Sequence, residues 1–257
     1  RGNPVVFPTS ESDVFLSALT ARGEEHWIYT RGIGLALDHL GLSFDELLKG
    51  LIQVISGLDG RTIQSKGTLD QTLALWMVPY LPTETVGKWN APSMYGNPKK
   101  QTVGGAVVSF LLRPCAFMGL VVFGERQGIS PTFTSYRNWI GPPLEEQPDS
   151  IPGLVRKYLH CYGPATMTDF RDWLGASSEQ AQRMWQTVAR EITPVLVSGK
   201  KCFILTSDQS LLMAPPPPAR RLHLLTSHDP YLGLADRSLI LDDKHRQRMI
   251  WQTISNP

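Results

Sequence analysis

The chain is poor in the residue patterns that mark most enzymes. Its 257 residues include three cysteines, Cys115, Cys161 and Cys202, set far apart. There is no CxxC pair and no Cys/His spacing of a zinc site, so neither a disulfide framework nor a structural metal is expected. Reduced thiols in a cytoplasmic protein are the expectation. The histidines, His26, His39, His160, His223, His228 and His245, show no ligand spacing either. No P-loop, no G-x-G-x-x-G and no G-x-S-x-G turn occurs, which argues against nucleotide, dinucleotide and hydrolase sites of those kinds. No metal and no cofactor is therefore expected. No apolar run approaches the roughly 18 residues that suggest a membrane span, and no signal-peptide pattern opens the chain.

Strong charge is missing as well. Lys and Arg number 25 against 23 Asp and Glu, a net +2. A dedicated nucleic-acid binder is often more basic, so any such contact must come from local patches. Hydrophobic content of 42% and charged content of 19% describe an ordinary folded protein. The chain opens Arg1-Gly2-Asn3-Pro4 without an initiator Met, and upstream residues are expected.

What is present centres on residues 151–206. Leu154, Val155, Tyr158, Leu159 and Tyr162 lie at helical spacing, and Gly163-Pro164 stops that helix. Thr166 with Asp169 can cap a second helix, which ends at Gly175. Ser177 with Gln180 reads as another capping box for a third helix, running to about residue 191, with Ala181, Met184, Trp185 and Val188 inward. Ile192, Val195 and Val197 read as a strand. Ser198-Gly199-Lys200 reads as a turn and residues 202–206 as the return strand.

Helices joined by a tight turn and closed by a hairpin describe a helix-turn-helix with a wing, whose third helix suits a DNA major groove. The outward face of that helix is expected to carry Gln180, Gln182, Arg183, Gln186, Thr187 and Arg190, groups that contact base edges or phosphates. The wing tip carries Lys200 and Lys201. Across residues 151–206, seven Lys and Arg stand against four Asp and Glu, a surplus of three. The bland alternative is the solvated face of an amphipathic helix.

Residues 43–141 repeat the order. Ser43 and Glu46 open a helix, residues 62–76 give a second, 102–118 a third, and 120–123 with 132–136 a hairpin. Residues 78–100, rich in Pro, Gly and Asn, are expected as loop anchored by Trp89 and Tyr95. Lys99, Lys100 and the hairpin's Arg126 are further candidate DNA contacts. Residues 3–7 are expected as a strand, followed by helices over 10–22 and 24–40. Residues 142–152 form an acidic, Pro-rich linker, and residues 215–218 a stiff proline break. Strands over 222–225 and 238–241 then precede a basic helix with Lys244, His245, Arg246 and Arg248. The expected class is α+β: tandem winged-helix units over 43–141 and 151–213, a remnant of a first unit over 1–42, and a small strand-containing segment over 219–257. Asp229 and Asp236 form a conceivable acid/base pair, but Asp229 more simply caps the turn at Pro230, with Asp236 pairing to Arg237.

The chain resembles a bacterial winged-helix family that includes the AlkZ-like DNA glycosylases, which unhook interstrand crosslinks and remove alkylated purines. Four stretches carry the resemblance: Arg1-Gly2 with Pro8-Thr9-Ser10; residues 120–124 with Pro131-Thr132-Phe133; Tyr158-Leu159 with residues 162–166 and Asp169-Phe170; and Asp229, Pro230, Tyr231 and Leu232 with Asp236-Arg237. The resemblance implies tandem winged helices that hold double-stranded DNA. It also implies catalysis by a Gln pair, or Gln and Asp, one residue apart in the first unit. That pair would position the water that attacks the sugar as the base departs. Its place falls before Arg1, so no catalytic residue is expected in this chain; Gln64 and Gln71 have the wrong spacing. After Arg1-Gly2 the family shows Thr-Leu-His, where this chain has Asn3-Pro4-Val5. Three functions stay open: a DNA-binding protein without chemistry, a glycosylase whose catalytic unit lies elsewhere, and a packing or protein-interaction scaffold.

Overall fold

The computed structural model describes residues 7–215, 224–225, 229–233 and 237–251. The expected strands at 3–7 and 222–225, and the proline break after Pro215, fall partly or wholly outside these residues. The chain is α+β and divides into two compact units. One is built from residues up to 157 with 170–189, the other from 158–169 with residues from 190 onward.

The first unit begins with short turns rather than the expected helix over 10–22. Helix α1 (Ser12–Phe15) lies between 3-10 turns at Thr9–Glu11 and Ser17–Leu19. Leu16, at φ −121° and ψ −69°, interrupts the helical path. The expected helix over 24–40 shrinks to α2 (Gly34–Leu40) behind a 3-10 turn at Arg31–Ile33, because Tyr29 takes a left-handed φ of 60°. Helix α3 (Phe44–Ile55) starts as the sequence indicates. The Ser43 Oγ accepts from the Glu46 amide at 3.2 Å, and the Glu46 carboxylate accepts from the Ser43 amide at 2.8 Å. Its Leu47, Leu48, Leu51 and Ile55 are buried at helical spacing.

Strand β1 (Ile63–Gln64) follows where sequence periodicity predicts helix, and α4 (Lys66–Met77) begins only after it. Helix α5 (Thr83–Trp89) occupies part of the expected loop. Its Trp89 is fully buried and donates its Nε1–H to the Ala74 carbonyl at 3.0 Å. Tyr95 anchors the remainder, its hydroxyl donating to the Gly32 carbonyl at 2.7 Å. Helix α6 (Val103–Phe117) then runs through the middle of this core. Ten of its fifteen residues are buried; each buried Val or Leu contributes about 1.5–3 kcal/mol relative to exposure. Two positions of its first turn have no room for a side chain: a Cβ on Gly104 would lie 2.3 Å from the Trp89 ring, and one on Gly105 2.0 Å from the Gln71 amide.

Strands β2 (Val122–Phe123) and β3 (Thr132–Thr134) complete the module. β3 is central and antiparallel to both neighbours, so the sheet order is β1-β3-β2, with Ile63 opposite Phe133 and Val122 opposite Thr134. Helix α7 (Tyr136–Ile140) leads to α8 (Ser150–Tyr162), α9 (Met167–Leu174) and α10 (Ser178–Gln186). Gly175 takes the left-handed φ of 72° expected after α9.

In the second unit, Thr166 and Asp169 form their capping box: the carboxylate accepts from the Thr166 amide at 2.8 Å, and the Thr166 hydroxyl accepts from the Asp169 amide at 3.1 Å. Strands β4 (Ile192–Val197) and β5 (Lys200–Leu205) form an antiparallel hairpin. Ser198 at φ 49° and Gly199 at φ 80° make its two-residue turn, the geometry that matches the twist of paired strands. Ala165 bridges to Phe203 of β5, which gives β5 a neighbour on each side. Helix α11 (Gln209–Met213) follows. The residues expected as a strand at 238–241 include a 3-10 turn, Arg237–Leu239, and α12 (Lys244–Ile250) is the expected basic helix.

Candidate nucleic-acid interface

The expected outward row of α10 is only partly outward. Gln182, Gln186, Thr187 and Arg190 are exposed. Gln180 is not: it is 0% exposed, and its side-chain amide donates to the Leu19 carbonyl at 3.1 Å. The capping box expected of Ser177 and Gln180 is therefore half made. The Ser177 Oγ accepts from the Gln180 amide at 3.1 Å, while the glutamine side chain turns inward. Arg183 is also drawn in. Its Nε and Nη2 donate to the two carboxylate oxygens of Glu25 at 2.6 and 2.8 Å. The physical reason is coverage by residues 19–25, which present a carbonyl and a carboxylate to that side of the helix. A signal for Gln180 exists in the sequence. It lies four residues before Met184 and eight before Val188, which puts it on the apolar stripe.

The Glu25 side chain is only 8% exposed. Burial alone would raise its carboxyl, but the bonds from Arg183 and from the Arg22 amide, with the attraction of both guanidinium groups, hold it below the usual 4.5. Arg183 thus serves as the counter-charge of a buried carboxylate, a task that conflicts with reaching out to a phosphate.

On the hairpin, Lys200 and Lys201 are both exposed. Lys200 Nζ lies 3.6 Å from Asp169. Lys201 Nζ stands 5.6 Å from the centre of the Phe203 ring. In the strand register, Lys201 faces Leu196 and Lys200 faces Val197. Cys202 and Ile204 of the same strand are buried, and Leu196 is 77% exposed.

In the first unit, Arg126 sits at the exposed tip of the β2–β3 hairpin, beside Ile129, which is 96% exposed. Lys99 and Lys100 are exposed on the segment before α6. The helix before this hairpin has no such face, because α6 is enclosed by the core.

The motif residues near the C-terminus hold a turn. The Asp229 carboxylate accepts from the Tyr231 amide at 2.9 Å, the capping role expected of it at Pro230. Trp251 donates to the Leu232 carbonyl at 2.8 Å, and the Arg237 guanidinium lies 5.1 Å from the Trp251 ring centre. Asp236 lies outside the described residues. Lys244, His245, Arg246 and Arg248 of α12 are exposed, and Asp243 caps their helix by accepting from the His245 amide at 2.8 Å. Among the described residues no group of three or more His, Cys, Asp or Glu is arranged to hold a metal ion, and no helix is long and apolar enough to cross a membrane.

The described residues thus form helices with two small antiparallel sheets whose hairpin tips carry exposed Arg126, Lys200 and Lys201. The family model described as DNA glycosylase AlkZ-like matches residues 1–256. The chain belongs to the AlkZ-like DNA glycosylase family. It is similar to the interstrand DNA cross-link repair glycosylase of Streptomyces sahachiroi, 32% identical over 145 residues that cover 53% of this chain and 38% of that protein. The solved structure of Streptomyces sahachiroi DNA glycosylase AlkZ shares its fold, with a TM-score of 0.54 at 23% identity, covering 85% of this chain and 56% of that one. The chain thus spans about half or less of the length of these relatives.

Proposed function

We propose that this chain is the duplex-holding part of an AlkZ-like DNA-repair protein, built of tandem winged-helix modules. The observation that carries this reading is the sheet order. The middle module runs helix, strand, three further helices and hairpin, with the first strand paired to the last, β1-β3-β2. The later module shares that strand order, with two helices rather than three before its hairpin, since Ala165 pairs with Phe203 of β5 and β5 pairs with β4. The module limits we propose are 43–141 and 151–213, which do not coincide with the two compact units, with residues 1–42 as the tail of a preceding unit and 219–257 as a separate closing segment. DNA contact falls to Gln182, Gln186 and Arg190, to the wing lysines Lys200 and Lys201, and to Arg126, Lys99 and Lys100. Gln180 and Arg183 are withdrawn from that role and given a structural one.

The chemistry proposed for the full-length parent is removal of alkylated or cross-linked purines, with the water-positioning pair supplied outside this chain. A cationic alkylated purine is already a good leaving group, so positioning and electrostatic support suffice for its departure. The buried α6 favours a second reading for the middle module alone, that of a packing unit between DNA-contacting neighbours.

Titration of a fluorescent duplex with the chain at rising salt tests the proposal. Affinity that falls steeply with salt is expected from phosphate contacts. No binding at low salt would overturn it. Release of 7-methylguanine by the full-length parent separates the glycosylase from a binding protein without chemistry.

A further inference from the structure

The first unit holds a cleft of about 600 Å³ beside β1, lined by Arg61, Thr62, Gln64, Thr68, Thr72 and Trp76. We infer that this cleft seats one phosphodiester of a DNA backbone. The inference rests on the duplex-holding role proposed above and adds a contact point on the middle module, beside the strand that pairs with β3.

The lining has one full charge and no acid. Arg61 makes no ion pair among the described residues. The Thr62 and Thr72 hydroxyls and the Gln64 carboxamide make no hydrogen bond among the described residues, so three neutral donors share the lining with one cation. The neighbouring cation is already committed: Lys66 donates to both carboxylate oxygens of Asp70 at 2.9 Å and to the Ser109 hydroxyl at 2.6 Å. The start of α4 is committed too, because the Thr68 amide donates to the Ser65 hydroxyl at 3.2 Å. The free donors are therefore side chains, and they sum to a single positive charge. That matches the single negative charge of a phosphodiester rather than a terminal phosphate or a polyphosphate.

The aromatic ring argues for backbone over base. Trp76 is covered on one side by Gly57, where a Cβ would lie 2.8 Å from the ring. The Arg61 guanidinium stands 5.7 Å from the ring centre. With both neighbours in place, the ring is not a free platform for a base. Its effect is instead to hold the guanidinium in one place, so that less freedom is lost when a phosphate arrives.

The test is a salt series of duplex titrations with the full chain, comparing wild type, Arg61→Ala, Arg61→Lys and Thr72→Val, each checked for native circular dichroism. Arg61→Ala is expected to weaken binding about tenfold and to flatten the slope of log affinity against log salt by about 0.9, the loss of one phosphate contact. Arg61→Lys is expected to keep the slope and to bind at intermediate strength, since charge remains and the fork does not. Thr72→Val is expected to lose about twofold to threefold with the slope unchanged. Wild-type affinity and slope in Arg61→Ala, alongside a weakened Lys201→Ala, would overturn this inference and leave the wider role standing. Failure of the wild-type chain to bind duplex at low salt would remove both.

Discussion

Two helices that each precede a β-hairpin, α6 before β2–β3 and α10 before β4–β5, are made of opposite materials. α6 carries a single charge, Arg113, in fifteen residues and is enclosed by the core. α10 carries Glu179 and Arg183, with three glutamines, in nine residues and keeps an exposed side. The buried charges differ in the same sense. In the middle module, burial pushes the Asp70 carboxyl above its usual 3.8, and Lys66 offsets only part of that. Beside α10, the bidentate Arg183 over-compensates burial and holds Glu25 down. A helix's place before a hairpin therefore does not fix how much of it stays open. A helix reads a surface only if its neighbours leave it one.

The comparison breaks most severely at Gly104. In Gly104→Ala the new methyl would meet the Trp89 ring at 2.3 Å, and about 3 kcal/mol of stability should be lost through forced displacement of a fully buried indole. Urea unfolding would show it as a lower midpoint, and an unchanged midpoint would mean that α5 and α6 are not packed as described. Next comes Arg183→Ala. It leaves the Glu25 carboxylate buried without its partner and should cost about 2 kcal/mol, read by the same unfolding curve. Duplex affinity, by contrast, should change less than twofold while the chain stays folded.

Two carboxylates sharpen the contrast through pH. Because the Glu25 value is lowered, its stabilising contribution is present above 4.5 and is lost as pH falls through its own value. Glu25→Gln should be less stable than wild type at neutral pH, with the gap closing on acidification. Asp70 has the opposite sign. Its raised value means that stability present below 3.8 is lost as pH rises through the higher folded value. Asp70→Asn should therefore match or exceed wild type at neutral pH. Thermal melts of both variants across pH would expose any case where the signs agree. The smallest effect belongs to Lys201→Ala, which should lower duplex affinity a few-fold and flatten the salt slope by about 0.9.

Much of this could be read before any coordinates. The boxes at Ser43 with Glu46 and at Thr166 with Asp169 announce their helices, because each depends only on residues three apart. The turn at Ser198-Gly199 announces its hairpin for the same reason. What escaped depends on partners distant in sequence. β1 is two residues long, too short to show a period, and is defined by Phe133 and Thr132 opposite it. α5 lies in a stretch whose Pro, Gly and Asn suggest loop, yet Trp89 is held by Ala74 and by the bare backbone of Gly104. Arg183 looks like a DNA contact until Glu25, 158 positions away, is placed beside it. The cleft of Arg61 is the exception: its donors lie within twelve residues, 61–72, but they come from a loop, a two-residue strand and a helix, so no single period marks them.

The tight turn between β4 and β5 sets more than a bend. Side chains alternate along a strand, so Lys200 shares the packed side of Cys202 and Ile204, while Lys201 shares the open side of Phe203. Consecutive lysines at this tip are thus not substitutes for one another, and positive charge there has a direction. One residue added within β5 just after Lys201 would carry both lysines across the ribbon together relative to the strand beyond, trading the open cation for the one tethered beside Asp169.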